Sequence, residues 1–173
     1  MTTRNIMAIV ASLGLAACAA TGPSYTAAVS KPRQDSERSA RLVLYRGDSV
    51  VSPFGMARVQ IDNIEVGGVA DAGFNYYDVT PGDHRIVVDH EGRPGECRIK
   101  ASVKAGDTAY FKIEQRGAST ASMFIAGAGL IGVAAALALE GSGEPCAGTW
   151  EIRPVGTEAL EELKNLKETQ GNG

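Results

Sequence analysis

The stretch Arg41–Arg46, which reads RLVLYR, decides what kind of sheet this chain builds. β-Branched and aromatic residues favour a strand, and successive side chains of a strand point to opposite faces. Leu42 and Leu44 therefore share one face. Val43 and Tyr45 share the other. Because a strand that is apolar on both faces has to be covered on both, we expect Arg41–Arg46 to be the centre of its sheet.

A β-hairpin is predicted after this strand. Residues 57–62 (ARVQID) alternate apolar and polar side chains, and residues 64–69 (IEVGGV) return as a second strand. Asp62 and Asn63 between them tolerate a positive φ, as a two-residue hairpin turn requires. Further strand patterns lie at Phe74–Val79, His84–His90, Cys97–Val103, Thr108–Glu114 and Thr149–Val155. This spacing predicts a mainly β chain, a small antiparallel β-sandwich of about seven or eight strands.

One amphipathic helix is predicted near the C-terminus, over about residues 157–169. Thr157 is the N-cap candidate, and glutamates precede lysines along the segment, as the helix dipole favours. Leu160, Leu163 and Leu166 form its apolar stripe. Residues 40–173 are then expected to be a single domain, since their number suits one modest core.

Five segments of the chain carry a family resemblance: ARLVLYR (40–46), VQIDNIEVGG (59–68), FNYYDVTPGDHRIVV (74–88), AGDTAYFKIE (105–114) and WEIRPVGTEALEELKNLK (150–167). Their order resembles the domain-of-unknown-function family 2846 of small bacterial envelope proteins, many of them lipoproteins. The middle part is similar to the small PEGA-type β-sandwich. The resemblance implies a compact sandwich with a terminal helix and no established enzymatic activity. Two features depart from it: Asn63 stands where glycine is common, and residues 122–144 enlarge a connection expected to be short.

The first 20 residues, MTTRNIMAIVASLGLAACAA, have the three parts of an export signal. Arg4 supplies the positive region, Ile6–Leu13 the apolar core, and LAAC at residues 15–18 a small-residue cleavage site. This ending resembles the lipobox of bacterial lipoproteins. The resemblance implies that residues 1–17 are a signal peptide and that Cys18 carries a diacylglycerol thioether. The alternative is a chance cysteine in an ordinary signal peptide or an uncleaved anchor.

Lipidation of Cys18 would hold the protein on a membrane without a transmembrane helix. Ala19 stands where an Asp would retain an enteric-type lipoprotein in the inner membrane. We therefore expect the periplasmic face of the outer membrane. Residues 18–39 are small, polar and proline-containing, and are predicted to be a flexible tether with a reach of about 25 Å.

The remaining cysteines, Cys97 and Cys146, are expected to form a disulfide, because an even pair in an oxidising compartment is most simply bonded. Two free thiols or a metal pair are the alternatives, and neither cysteine has a second Cys or a His near it in sequence. The net charge of −3, from 17 basic and 20 acidic residues, offers no basic surface for nucleic acid.

The sequence contains no motif that points to catalysis. Gly-x-Ser-x-Gly, His-Glu-x-x-His and Cys-x-x-Cys are absent. His84 and His90, six residues apart on one predicted strand, would lie about 20 Å apart, too far for one metal ion. The lone Trp150 is expected in the core. We therefore expect a protein that is not an enzyme and that binds no cofactor and no metal.

The most distinctive segment is residues 124–141, FIAGAGLIGVAAALALEG. Gly127, Gly129 and Gly132 match the spacing of a dinucleotide-binding loop, but the next strand pattern has no acid at its tip, so dinucleotide binding is not expected. Residues 121–139 lack charge and could just span a bilayer. Because their flanking charges oppose the positive-inside bias, a transmembrane helix is the second interpretation.

We predict instead an apolar helix over about residues 121–140 with two different faces. Ala128, Gly129, Gly132 and Ala136 form a small-residue face that suits close helix contact. It could dock on its own sheet, pair with a second copy, or lie in the bilayer interface. The expected function is a non-enzymatic, lipid-anchored envelope module that binds an envelope protein or its own copies. The alternative is a periplasmic carrier whose apolar helix is a lid over a lipid or other apolar ligand.

Overall fold

The computed structural model describes residues 20–32, 35, 38–48, 55–116 and 146–169. Within these residues nine strands form two sheets, accompanied by two short helices. The predicted mainly β sandwich is confirmed. The apolar helix predicted over residues 121–140 lies outside the described residues. No described helix is long and apolar enough to cross a membrane.

The two sheets differ in size and in strand direction. Strands and helices in chain order are α1 Tyr25–Val29, β1 Ala40–Tyr45, β2 Ala57–Ile61, β3 Ile64–Val69, β4 Gly73–Val79, β5 Gly82–His90, β6 Glu96–Val103, β7 Thr108–Gln115, β8 Trp150–Val155, α2 Ala159–Leu163 and β9 Lys167–Glu168. One sheet has the order β8-β7-β1-β4-β9 and the other β3-β2-β5-β6. β1 pairs antiparallel with β4 and parallel with β7, so the five-stranded sheet is mixed and not antiparallel throughout as expected.

β1 is the central strand of the five-stranded sheet, as its sequence predicts. All six of its residues are buried. Leu42 and Leu44 belong to the inner core between the sheets. Val43 and Tyr45 belong to an outer core on the opposite face, which α1 and α2 cover. The two-sided apolar pattern thus corresponds to two separate cores that share one strand.

Residues 20–32, within the flexible tether expected over residues 18–39, pack on the five-stranded sheet, and the expectation is corrected for these residues. α1 buries Tyr25 and Ala28 in the outer core. The Tyr25 ring meets the Phe74 ring edge to face at 5.4 Å, and its hydroxyl lies 3.3 Å from that of Tyr110. A five-residue helix that buries two side chains is too short to show a helical period in sequence, which is why the pattern was missed.

The C-terminal helix is present but shorter than the predicted residues 157–169. α2 ends at Leu163, and its N-cap is Glu158 rather than Thr157. After a turn that buries Leu166 in the outer core, β9 pairs parallel with β4. The Thr169 amide continues this pairing by donating to the Phe74 carbonyl at 2.8 Å. Pairing the open edge of β4 outweighs the helical propensity of this segment, because unpaired edge groups need partners.

The β2–β3 hairpin has the turn that its sequence predicts. Asp62 and Asn63 have φ values of 53° and 67°. Both central residues of a two-residue turn are therefore left-handed, as a type I′ turn requires. The Asp62 carboxylate also accepts hydrogen bonds from the Arg85 amide at 2.9 Å and from His84 at 2.7 Å. These bonds hold the pKa of Asp62 below its ordinary value.

Replacing the second turn residue tests this geometry. We expect Asn63→Gly to raise the free energy of unfolding by about 0.5 kcal/mol, because glycine adopts a left-handed φ without the Cβ penalty. Asn63→Val should lower it by about 1–2 kcal/mol, since a β-branched side chain is strained there. Urea unfolding of both variants measures the two changes. The turn assignment would be wrong if valine were tolerated as well as glycine.

Candidate functional site

Among the described residues, one end of the sandwich brings together a buried ion pair, two stacked rings and the disulfide. We call it the Arg46 end, defined by Arg46, Gly73, His90, Gln115 and Trp150. Strand register places these residues together: Tyr45 faces Phe74 and Lys112, while Gln115 faces Trp150. In the other sheet, Ala57 faces both Val69 and His90. The opposite end of the sandwich is called the Ala40 end.

Arg46 is a buried cation whose described partners include two carbonyl groups and the Asp71 carboxylate. It follows β1 directly, and its side chain is 3% exposed. The guanidinium donates to the Gly55 carbonyl at 2.8 Å and to the Val69 carbonyl at 3.3 Å. It also bonds the Asp71 carboxylate at 3.3 Å. Arg46 therefore joins the end of β1 to the residues that precede β2 and follow β3.

Burial lowers the pKa of Arg46 from its ordinary value, and the charge of Asp71 opposes that shift. A guanidinium has so high a pKa that it remains charged at neutral pH. Burying this charge is costly unless it is paired and hydrogen-bonded, and both conditions are met here. The cluster therefore stabilises the Arg46 end, and this stabilisation depends on the Asp71 carboxylate.

Two aromatic rings lie over the cluster. The Arg46 guanidinium lies 4.1 Å from the centre of the Trp150 ring, a cation–π distance. The His90 ring stacks nearly parallel to the Trp150 ring, and the two ring centres are 5.8 Å apart. A side chain at Gly55 would collide with the His90 ring, so this contact needs glycine. The prediction that Trp150 is a core residue is confirmed, because the ring is buried.

The two cysteines predicted to pair are joined by a disulfide, at the same end. Cys97 lies on β6 in the inner core, and Cys146 packs against that core just before β8. Arg116, at the end of β7, donates a side-chain hydrogen bond to the Cys146 carbonyl. Its amide donates to the Thr149 carbonyl at 2.8 Å. The residues on both sides of the 117–145 segment are thus bound to each other and to the sandwich.

The other predicted site residues lie outside the described residues. These are Cys18, the lipidation candidate, and the small-residue face of Ala128, Gly129, Gly132 and Ala136. Sequence reasoning singled out neither Arg46 nor Asp71. The sequence carried little signal for this pair, because arginine is usually exposed and only the tertiary structure shows that Arg46 is buried and paired.

Other polar contacts among the described residues stabilise the fold. The ring nitrogens of His84 lie 2.7 Å from the Asp62 carboxylate and 2.7 Å from the Thr80 carbonyl. Arg41 bonds both oxygens of Asp78, at 2.6 and 2.8 Å. In the described ranges, no group of three His, Cys, Asp or Glu side chains could hold a metal ion.

A carboxylate network connects α2 to the five-stranded sheet. Glu114 on β7 bonds Arg153 on β8 at 2.9 Å, and Lys112 lies 2.7 Å from Glu162 of α2. Burial alone would raise the pKa of Glu114, but hydrogen bonding by Arg153 and the charge of Lys112 outweigh it. They hold that pKa below its ordinary value. These ionised pairs position α2 over the outer core.

A surface depression of about 350 Å³ lies beside the Arg46 end, at the β5–β6 connection. It is lined by Arg58, Asp89, Arg93, Gly95 and Glu96. Two of these lining residues, Arg58 and Asp89, form a hydrogen bond of 2.6 Å with each other. Since sites for apolar ligands are lined mainly by hydrophobic side chains, this charged depression does not suit a lipid.

Comparison with known proteins supports the family resemblance. A family model described as "Protein of unknown function (DUF2846)" matches residues 36–128, more than half of the chain. The matched range contains β1 to β7, and with them Arg46, Asp71 and Cys97. Cys146 and Trp150 lie beyond its end. No curated protein matches the chain.

Proposed function

The chain belongs to the DUF2846 family, and from that premise we propose that it is a non-enzymatic, lipid-anchored lipoprotein of the bacterial cell envelope that acts by interaction. Its lipid is carried on Cys18, at the periplasmic face of the outer membrane. The sandwich presents the Gly/Ala-rich segment, residues 117–145, to a partner. That partner is another envelope protein or a second copy of this chain.

Two independent features support export and anchoring. LAAC at residues 15–18 follows an apolar core and a positive region, in the order of a lipoprotein signal. The Cys97–Cys146 disulfide adds a structural argument, because disulfides persist in oxidising compartments such as the periplasm and are rare in the cytosol. An exported protein with a lipidated cysteine needs no transmembrane helix to stay at the membrane.

The attachment of the chain on both sides of the 117–145 segment supports the interaction role. Arg116 and Cys146, on its two sides, are hydrogen-bonded to each other, and Cys146 is bonded covalently to Cys97. A short turn would be long enough to connect β7 and β8, because the two strands are antiparallel neighbours. A long apolar segment held this firmly at both sides suits presentation to a partner.

A larger side chain on the small-residue face tests whether that face mediates self-association or partner binding. We expect Gly132→Leu to dissociate a homo-oligomer, or to abolish crosslinking to an envelope partner, because it removes the close approach between helices that glycine permits. Ala134→Leu, predicted on the opposite face of the same helix, is the matched control and should have no effect. Sedimentation analysis and crosslinking in cells measure the two outcomes.

Three results decide between the functions. An oligomer or crosslinked partner that Gly132→Leu alone disrupts supports the interaction module. A lipid or other apolar molecule that co-purifies with the monomer supports a carrier instead. A ligand-free monomer without crosslinks, indifferent to both substitutions, contradicts the two proposals together.

A further inference from the structure

Residues 20–32 attach to the edge of the five-stranded sheet through its last strand, β9. The Gly22 amide donates to the Glu168 carbonyl at 2.9 Å, and the Glu168 amide donates to the Pro23 carbonyl at 2.8 Å. Ser24 forms an antiparallel bridge with Lys167. We call residues 20–32 the strap, because these backbone contacts all join them to the C-terminal strand.

The strap lies so close to its neighbours that glycine is needed at two positions. A Cβ built on Gly22 would collide with the Glu168 carbonyl oxygen and would lie 2.9 Å from the Glu168 Cβ. A Cβ built on Gly73, the first residue of β4, would lie 2.6 Å from the Thr169 hydroxyl and 2.9 Å from the Ala20 Cβ. The sequence is therefore suited to a docked strap, since a side chain at either glycine would push the backbones apart.

Two buried side chains hold the strap on the outer core. Tyr25 is 8% exposed and Ala28 is fully buried. The Tyr25 ring packs edge to face on the Phe74 ring. Lys31 adds an ion pair with Glu168 at 3.9 Å, but the lysine side chain is 59% exposed, so this pair contributes little. The docking is specific, but it depends on a small number of contacts.

The strap and β9 depend on each other. β9 has only two residues, and it pairs with β4 on its inner side. Without β9, the strap would lose the backbone partners of Gly22 and Pro23. Without the strap, β9 would become an open edge whose backbone groups need other partners. We therefore expect the two segments to dock and detach together.

The inner core of the sandwich does not depend on the strap. Its buried side chains come from β1–β3 and β5–β8, and none of those described belongs to residues 20–32 or 157–169. The five-residue helix α1 has little stability of its own, because isolated helices shorter than about 12–15 residues are marginal in water. Opening of the strap should therefore cost less free energy than unfolding of the sandwich.

Detachment of the strap would change the reach of the N-terminal chain. Docking holds Ala20 at Gly73, and Cys18 is two residues before Ala20, a span of about 7 Å at most. With the strap detached, residues 18–39 become the tether expected from the sequence, with a reach of about 25 Å. The docked and detached states thus differ in the distance between Cys18 and the sandwich.

We propose that residues 20–32 are a releasable strap, held by β9, that sets how far the sandwich stands from its lipid anchor. The docked strap keeps the tether short, and its release lengthens the tether while the sandwich stays folded. The strap itself does not depend on lipidation. Its effect on the distance from a membrane rests on the lipid that the proposed function assigns to Cys18.

Hydrogen exchange of the full-length lipidated protein in phospholipid nanodiscs tests the release. We expect amides of the strap and β9 to exchange at least about tenfold faster than those of β1, because they open without global unfolding. Gly22→Val should accelerate exchange in both segments by at least about a further tenfold and leave β5 and β6 unchanged. Gly47→Val is the matched control, because a Cβ built on Gly47 meets nothing within 4 Å.

A second variant and a distance measurement test the tether. Tyr25→Ala removes the buried ring, leaves Gly22 in place, and should also accelerate exchange in the strap. Energy transfer from a dye at Lys104→Cys, at the Ala40 end, to a labelled lipid in the nanodisc measures the distance from the membrane. We expect Gly22→Val and Tyr25→Ala to increase this distance by roughly 10–20 Å, the difference between the two reaches.

The exchange rates can overturn the proposal in three ways. Strap and β9 amides that exchange only as slowly as those of β1 would show that the strap opens only on global unfolding. Acceleration of the strap without β9 in Gly22→Val would contradict their coupling. Equal acceleration of β5 and β6 in both Gly22→Val and Tyr25→Ala would show that the strap is an integral part of the fold.

The mass of the purified protein separates these outcomes from failure of the proposed function. If Cys18 carries no lipid, the proposed function and the effect on membrane distance fail together, while hydrogen exchange still tests the release of the strap. If Cys18 is lipidated and the strap is released without a change in distance, the role of the strap in tether length alone is wrong.

Discussion

Removing the Cys97–Cys146 disulfide is expected to lower the free energy of unfolding by about 4 kcal/mol. The bond closes a loop between cysteines 49 positions apart. In the chain-entropy model, opening a loop of this length restores about that much conformational freedom to the unfolded chain. Since domains of this size are stable by roughly 5–15 kcal/mol, the loss is a large part of the total. The bond also holds the exit of the 117–145 segment on the sandwich.

The measurement compares urea unfolding of the wild type with and without reductant. The double variant Cys97→Ala, Cys146→Ala is the control, because its stability should not respond to reductant. Its midpoint should lie near that of the reduced wild type, with a small further loss because Cys97 fills part of the inner core. Thiol titration of the denatured protein checks the premise. Equal titres with and without reductant would contradict the disulfide itself.

Asp71→Ala is expected to destabilise the protein by about 3 kcal/mol or more, since removal of one partner leaves a buried charge uncompensated. Arg46 and Asp71 have side chains that are only 3% and 10% exposed. The guanidinium cannot reach water to replace the lost carboxylate. Its hydrogen bonds to the Gly55 and Val69 carbonyls remain, so the effect should not exceed the usual range for a broken buried pair.

Asp89→Ala provides a matched control for the Asp71 variant. It removes a carboxylate from an ion pair with Arg58, whose side chain is 38% exposed. Such pairs contribute about 1 kcal/mol or less, because water solvates the remaining charge. The double variant Arg46→Met, Asp71→Ala should be more stable than Asp71→Ala alone, because the buried charge has gone with its partner. Equal effects of Asp71→Ala and Asp89→Ala in chemical denaturation would refute the account of the Arg46 cluster.

The hairpin turn and the central strand were predictable because their causes are local. Asp62 and Asn63 adopt the left-handed conformations that their residue types tolerate. Leu42 and Val43 alternate between two cores, as strand geometry requires. The Cys97–Cys146 pairing was also predictable from the expectation that Cys18 carries lipid, because the two other cysteines then allow only one intramolecular disulfide.

The two ends of the domain were predicted less well. Tyr25 and Ala28 are buried by a sheet that forms from residues far along the chain, so nothing near them in sequence shows what they pack against. β9 exists because β4 presents an open edge there. The helical pattern from Glu158 to Lys167 gives no sign of that edge, and the helix ends where pairing with it becomes possible.

The sequence by itself determined the β-sandwich class, the two-sided central strand and the hairpin turn, because side-chain alternation and turn chemistry act between residues close together in the chain. It also indicated the cysteine pair, because few pairings are possible for so few cysteines. Only the tertiary structure decided that Arg46, Asp71, Trp150 and His90 meet at one end. It also brought Ala20, Arg116 and Cys146 to that same end. These residues are far apart in the chain, and only strand pairing and sheet packing determine which of them become neighbours.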